Sequence, residues 1–580
     1  MLFLSPHRSS WIALVAWGLL LSTAPGCRDS SPSPADAGIS DDSGTPDAGA
    51  PDSGTPPPWD GTYTVLEERG DGTGDPGVLS RCALVPQVGE SPAGGCFDPS
   101  IFDLSSCDTS TLSNVPTDGI YQVRLREEHA LEDGGVGGSY YTVTMALRGD
   151  GGTSKFYYRP VSHDARDADS LLVGTTVPVR DGGVTYTLAG CEAPNDHYFT
   201  GCFVRCTNGR VVERATADAH RMVWREGEAE SSGGLELVSE TYVPQGTPLD
   251  VYVAKNHAFV VSANAYLRPG KPGGLSIYDV TDRRHPVLKK VISLPDDQLW
   301  NSVWTKGDAL YVASQDTGIV VFDITNPADP QLVRRVPTSA PLAVHTVLVD
   351  GDRLYGMGLW PSNNTLVFDV SKPLEPMLLQ RLSFPLVDTY DAPHDAFAYQ
   401  GRLYISHMQS GLHVVDVENP NDMKLLGTYA YPNSTAHHNA VGTFAGRTIA
   451  FEGGENHGAH LRVLDVTDPK HIVKIGEFQL RPTVSIHNIL LVGTRLYITW
   501  YQEGVRVLDV SNPTKPRQIA HFNTHRETDP ERTDDVFEGA IGIRVPGDGY
   551  VYVIDTSRGL LIMNELPPET QAGAAPKTAP

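Results

Sequence analysis

A short apolar phrase ending in an acidic or amide residue recurs seven times between residues 274 and 565, and no other feature constrains the fold as much. The copies are Gly274–Val280, Gly318–Ile324, Thr365–Val370, Gly411–Val417, His460–Val466, Gly504–Val510 and a worn copy, Gly559–Glu565. The aspartates fall at 279, 323, 369, 416, 465 and 509, with Asn564 in the worn copy, so successive spacings are 44, 46, 47, 49, 44 and 55. A period in the forties built from short strands is the signature of a β-propeller. Each phrase is a run of β-branched and aliphatic residues, which reads as a strand buried on both faces. Six copies lead into a turn such as Thr325-Asn326-Pro327 or Ser511-Asn512-Pro513. An aspartate before such a turn accepts a hydrogen bond from the backbone two residues on, and proline presets the turn dihedral. The aspartates are therefore structural in this reading.

The phrase resembles the LVIVD repeat of bacterial and archaeal surface proteins, which is taken to build a β-propeller. The resemblance covers residues 235–566 and implies the fold; it implies no particular activity, and a fold alone does not give one. Within a repeat the order is an inner strand, a tight turn, a second strand, a loop, the phrase, an Asn/Asp-Pro turn and an outer strand. The last copy ends at Glu565 before any outer strand, whereas a spare strand, Leu237–Val243, precedes the first copy. That spare strand is expected to complete the seventh blade and close the ring.

The chain has 580 residues, enough for two or three domains. With 45 Lys+Arg against 70 Asp+Glu its formal charge is −25, which argues against nucleic acid and anionic membrane surfaces as partners. Residues 1–27 read as an export signal: His7 and Arg8, then an apolar stretch, Trp11–Leu21, too short to span a bilayer. It ends in Ala24-Pro25-Gly26-Cys27. This resembles a bacterial lipoprotein lipobox, with Ala24 where the pattern usually has Leu, and implies lipid on Cys27. Residues 28–58 are a Pro/Ser/Asp/Gly-rich tether with nothing to bury, and 567–580 form a Pro/Ala-rich tail expected to be disordered. The expected location is the bacterial cell envelope, on the surface or facing the periplasm, with the lipid as the membrane contact.

Cys82, Cys96, Cys107, Cys191, Cys202 and Cys206 all lie in residues 59–234, and the repeats have none. An even number in an exported chain implies up to three disulfides, with the connectivity open. The same region alternates strand-like runs, Gly61–Leu66 among them, with Gly/Asp turns, and reads as a meander or small barrel. The fold class is all-β: a seven-bladed propeller preceded by a small disulfide-stapled β-rich domain.

Aligning the inner strands on their turns brings Asp250, Asn301, His345, His394, His438, His487 and Glu538 to one position. Such residues would ring the channel near one mouth, and their composition is that of a divalent metal or anion site. The competing reading is bracing, each imidazole bonded within its own blade, with Asp316, Gln409, Glu503 and Ser557 available at facing turns. Loops between second and third strands open on the same face and carry Trp360, His407, Glu455, His457, Trp500 and Tyr501. The insertion His521–Asp535 reads as an exposed charged loop on that side. No Gly-x-Ser-x-Gly elbow, P-loop, His-Glu-x-x-His helix or EF-hand loop occurs. Two functions fit. One is a monomeric, membrane-anchored scaffold that binds a protein or carbohydrate ligand. The other is a metal-dependent hydrolase or lyase, with the ring holding the metal, Glu455 or Glu538 as base and Trp360 lining the pocket. The first requires no catalytic residues and is favoured.

Overall fold

In this computed structural model the described residues are 58–567, except 73–74, 131–135, 150, 180–181, 226, 265–269, 338–341, 360, 362, 390, 482–483, 530 and 536. The expected export signal with Cys27, Trp360 and all but the last residue of the expected tether and the first of the expected tail lie outside them.

The recurring phrases become strands Gly274–Asp279, Gly318–Asp323, Asn364–Asp369, Gly411–Asp416, Leu461–Asp465, Val505–Asp509 and Gly559–Asn564. Every residue in them before the terminal Asp or Asn is buried, because strands pack on both faces. Each of the six aspartates accepts from the backbone N–H two residues on, at 2.7–3.0 Å. The phrase is the third strand of each blade. Seven antiparallel sheets result, six with four strands and one with five. Each inner strand contacts the next, and the last contacts the first.

Closure follows the expected route. Leu237–Thr241 pairs outside Gly559–Asn564 and completes the seventh blade. The worn copy is explained by that pairing. Asn564 accepts from Glu236 N at 2.6 Å, and its amide donates to Gly234 O at 2.8 Å. An aspartate only accepts, so asparagine alone of the two can hold both groups of the returning chain.

Ahead of the propeller, residues 119–221 build a nine-stranded antiparallel sheet. Its edge strands, Arg159–Pro160 and His163–Asp167, are joined by Val161 and Ser162. Val161 N donates to Ser154 O and Ser162 N to Gly174 O, both at 2.9 Å, so the sheet curls round to meet itself as a barrel. Side chains alternate between two cores. Val123, Leu125, Leu188 and Phe203 fill one. Cys202, Val204 and Cys206 face the other, with Leu84, Ile101 and Phe102 of the preceding segment. Disulfides Cys82–Cys202, Cys96–Cys206 and Cys107–Cys191 staple that segment down. All six expected cysteines are paired.

One stretch departs from its expected role. Gly61–Leu66 forms no strand of the barrel. It runs along blade five instead: Leu66 N donates to Lys474 O at 2.8 Å, and Trp59 and Tyr63 pack on the propeller core. After the barrel, Ser231–Ser232 adds to the outer strand of blade six. The outer strands of blades five and six are thus met by earlier segments of the chain, and that of blade seven is the closing strand. Those of blades one to four end their sheets.

Candidate functional site at the channel mouth

The barrel stands over one end of the propeller channel. Arg148 pairs with Asp534 at 2.7 Å, Arg532 with Asp118 at 2.7 Å and Arg221 with Glu527 at 2.6 Å. The Trp224 indole donates to His525 O at 2.7 Å, and the Gln122 amide bonds to His457. Ile120, Ala146 and Met222 of the barrel region share an apolar cluster with Ile486, Trp500 and Ile541. The insertion His521–Asp535 is therefore not the exposed loop expected. Asn523, Thr524, His525, Arg532, Asp534 and Asp535 are buried, with Glu527, Arg532 and Asp534 paired to barrel residues.

Beneath this roof four imidazoles form a continuous arc. Ring centroids of His345 and His394 are 4.1 Å apart, His394 and His437 4.2 Å, and His437 and His487 4.4 Å. Tyr501 continues it, 5.2 Å from His487. Blade five contributes His437, not His438. A bulge between Ala436 and His438 inserts one residue, and in a strand that exchanges the faces presented by neighbours. His438 lies one layer away, with Nε2 3.3 Å from Asp395 Oδ2 and Nδ1 accepting from Ile489 N. Burial pushes His438 down to about 3 and Asp395 up to about 7, opposing charge on both. The adjacent histidines 437 and 438 were themselves a signal, since neighbours on a strand point opposite ways and one of the two had to face the axis.

The remaining ring positions are braces. His345 is held by the amides of Asn301 at 3.3 Å and Gln315 at 2.9 Å. Asp250 accepts from Val303 N and from Arg544, each at 3.1 Å. Glu538 accepts from Thr533 N at 2.8 Å and Ser557 Oγ at 2.6 Å, fixing its own loop. Asp250 of blade one thus ties blades two and seven together, while Glu538 is committed locally. Two expected mouth residues are buried among neighbouring elements instead. His407 lies 2.9 Å from Asp391 and stacks on His413 at 4.7 Å, while the Trp500 indole donates to Val484 O at 3.2 Å. A buried carboxylate holds His407, and apolar packing against the barrel and blade five holds Trp500.

Glu455, His457 and Tyr501 do converge. The Tyr501 hydroxyl donates to Glu455, and Phe537 stands between Tyr501 and His457, at 5.4 and 5.5 Å. Tyr501 adopts φ 41°, a left-handed conformation that bulky residues rarely take. Reciprocal backbone hydrogen bonds with Ala540, both 3.0 Å, hold it there.

The protons of the arc can be placed. His437 Nδ1 is 3.1 Å from His487 O, and His487 Nδ1 is 2.9 Å from Ile541 O. A carbonyl only accepts, so Nδ1 carries hydrogen in both neutral rings and Nε2 carries a lone pair. Those Nε2 atoms lie 3.6 and 3.9 Å from the Glu455 carboxylate oxygens. His394 Nδ1 and His437 Nε2 are buried and make no hydrogen bond to the described residues. Burial pushes His437 down to about 3 and holds His394 and His487 well below the usual imidazole range, while it raises Glu455. Neutral imidazoles with a carboxylate are nitrogen and oxygen donors of the kind divalent transition metals take. Access is the limiting feature, since His437 is 2% exposed and His394 7%.

LVIVD repeats match this sequence at residues 301–338, 398–431 and 486–524, which fall on blades two, four and six. No curated protein matches the chain. Among solved structures it is similar to the computationally designed Ika8 protein, at 10% identity and a TM-score of 0.38, over 57% of this chain and 99% of that one.

Proposed function

We propose that this chain, a seven-bladed β-propeller with LVIVD repeats, is an envelope-anchored interaction scaffold that takes a protein partner on the rim of blades one to four. The carrying observation is the asymmetry of the rim. Blades five to seven are met at their edges by segments of the same chain, whereas blades one to four end in strands that expose large apolar side chains. Val287 is 53% exposed and Met377 58%, with Leu288, Leu332 and Leu425 also exposed. Lys289, Arg334 and Arg381 are interleaved with them. Basic residues on an edge strand discourage self-pairing. In a chain of charge −25 they also favour an acidic, extended partner segment that adds to the edge. Between blades three and four the rim opens into a groove of about 450 Å³, lined by Leu382, Phe384, Met423 and Leu425 among others.

The lipobox-like Ala24-Pro25-Gly26-Cys27 and the tether support a lipid anchor, and three disulfides suit an oxidising compartment. A hydrolase or lyase is less well supported, because the histidine arc lies under the barrel rather than open to substrate. Cys27→Ser is expected to move the protein from the membrane fraction to the soluble one; retention would dismiss the anchor. A photo-crosslinking residue at Leu332 or Met377 is expected to give discrete adducts in cells that Val333→Glu or Leu379→Glu abolishes. The same probe at Lys470 of blade five serves as control. Equal labelling at all three positions would dismiss the rim.

A further inference from the structure

His437 Nε2 and the Glu455 carboxylate are both acceptors, yet the fold holds them 3.6 Å apart, with the imidazole buried and the carboxylate half-buried. Lone pairs aimed at a carboxylate repel unless a proton or a metal cation lies between them. We propose that His394, His437 and Glu455 bind one divalent transition metal, zinc in first place, with His487 Nε2 as the fourth ligand. This does not depend on the rim of blades one to four.

Three observations carry it. One donor atom from each of His394, His437 and Glu455 lies within 4.8 Å of the other two. Tetrahedral zinc, at roughly 2.0–2.2 Å from each ligand, holds its ligand atoms about 3.3–3.5 Å apart, so contraction of about 1 Å completes the site. Second, His394 Nδ1 and His437 Nε2 are buried without hydrogen-bond partners among the described residues, a costly state that coordination relieves. Third, the outer contacts are those that orient metal ligands. The Nδ1–H groups of His437 and His487 donate to backbone carbonyls, which leaves Nε2 free, and the Tyr501 hydroxyl steadies Glu455. His394 precedes the inner strand of blade four, His437 and Glu455 belong to blade five, and His487 precedes the inner strand of blade six. A metal here ties three neighbouring blades together under the barrel. Its role is structural, since four protein ligands leave it no open position.

The test uses the full mature chain without a polyhistidine tag, purified without chelator. About one transition-metal ion per chain is expected on elemental analysis. After stripping, zinc should raise Tm by about 3 °C or more, and cobalt(II) should give the visible absorption of a tetrahedral site. His437→Gln and Glu455→Gln should lose all three responses, while His438→Gln, one residue away on the opposite strand face, should keep them. A wild-type protein with only trace metal and no Tm or cobalt response would overturn the proposal. So would full metal content in His437→Gln and Glu455→Gln. The wild-type measurements decide the matter even if a variant fails to fold.

Discussion

Arg462→Ala is expected to destabilise the protein by about 3–5 kcal/mol, the usual cost of leaving buried charges without their partner. Arg462 is fully buried. It pairs with Glu68 at 3.0 Å and Asp71 at 2.9 Å, lies 3.7 Å from Glu452, and stacks 3.7 Å over the Tyr431 ring. Arg506 holds the same place in the phrase of the next blade and pairs with Glu228 at 2.7 Å and Glu503 at 2.9 Å. Glu68 lies on the segment that enters the barrel and Glu228 on the segment that leaves it. One buried guanidinium therefore pins each connection between the two halves of the molecule. Arg506→Ala should cost a similar amount, and Arg462→Lys should recover only part, because a lysine cannot span two carboxylates as a planar fork does. Urea midpoints measure all three.

The same pairs impose acid sensitivity. Burial alone would raise Glu68 and Glu228, but hydrogen bonds from the arginines outweigh it and hold both at about 2, against an ordinary 4.5. A folded-state pKa below the unfolded one means stabilisation that is complete above about 4.5 and lost as pH falls through about 2. Tm of the wild type should drop across that window, and Arg462→Ala should drop less steeply.

Reduction of the disulfides is expected to unfold the barrel and spare the propeller. The bridges close separations of 120, 110 and 84 residues. Loops of that size restrict the unfolded chain by about 4–5 kcal/mol each when taken singly. The loops overlap, so the three contributions do not add. Residues 235–566 contain no cysteine. Hydrogen exchange after reduction should show protection lost over 119–221 and kept over 247–564. Simultaneous loss in both regions would mean that barrel and propeller unfold as one cooperative unit.

The repeat, its aspartate turn and the closing strand Leu237–Thr241 were readable because each is a local pattern with a local cause. A buried strand must be apolar on both faces, and an Asp side chain reaches only two residues on. A missing outer strand at one terminus must be supplied from the other. The confinement of disulfides to 82–206 was readable for a similar reason, since the propeller has no cysteine to offer. The blade-five position was assigned to His438 and not His437 because a bulge leaves no mark in composition, yet moves every later side chain to the other face. The burial of Asn523, Thr524, His525, Arg532, Asp534 and Asp535 and the duties of Arg462 and Arg506 were not readable at all. Glu68, Asp71, Glu228, Asp118 and Arg148, the partners that tie them to the barrel region, lie hundreds of residues away, and a charge in a sequence looks the same whether water or a distant partner surrounds it. Local hydrogen bonding and periodicity decided the propeller from the sequence, whereas the roofed histidine arc exists only because the tertiary fold sets the barrel over the channel and buries His394 and His437 beneath it.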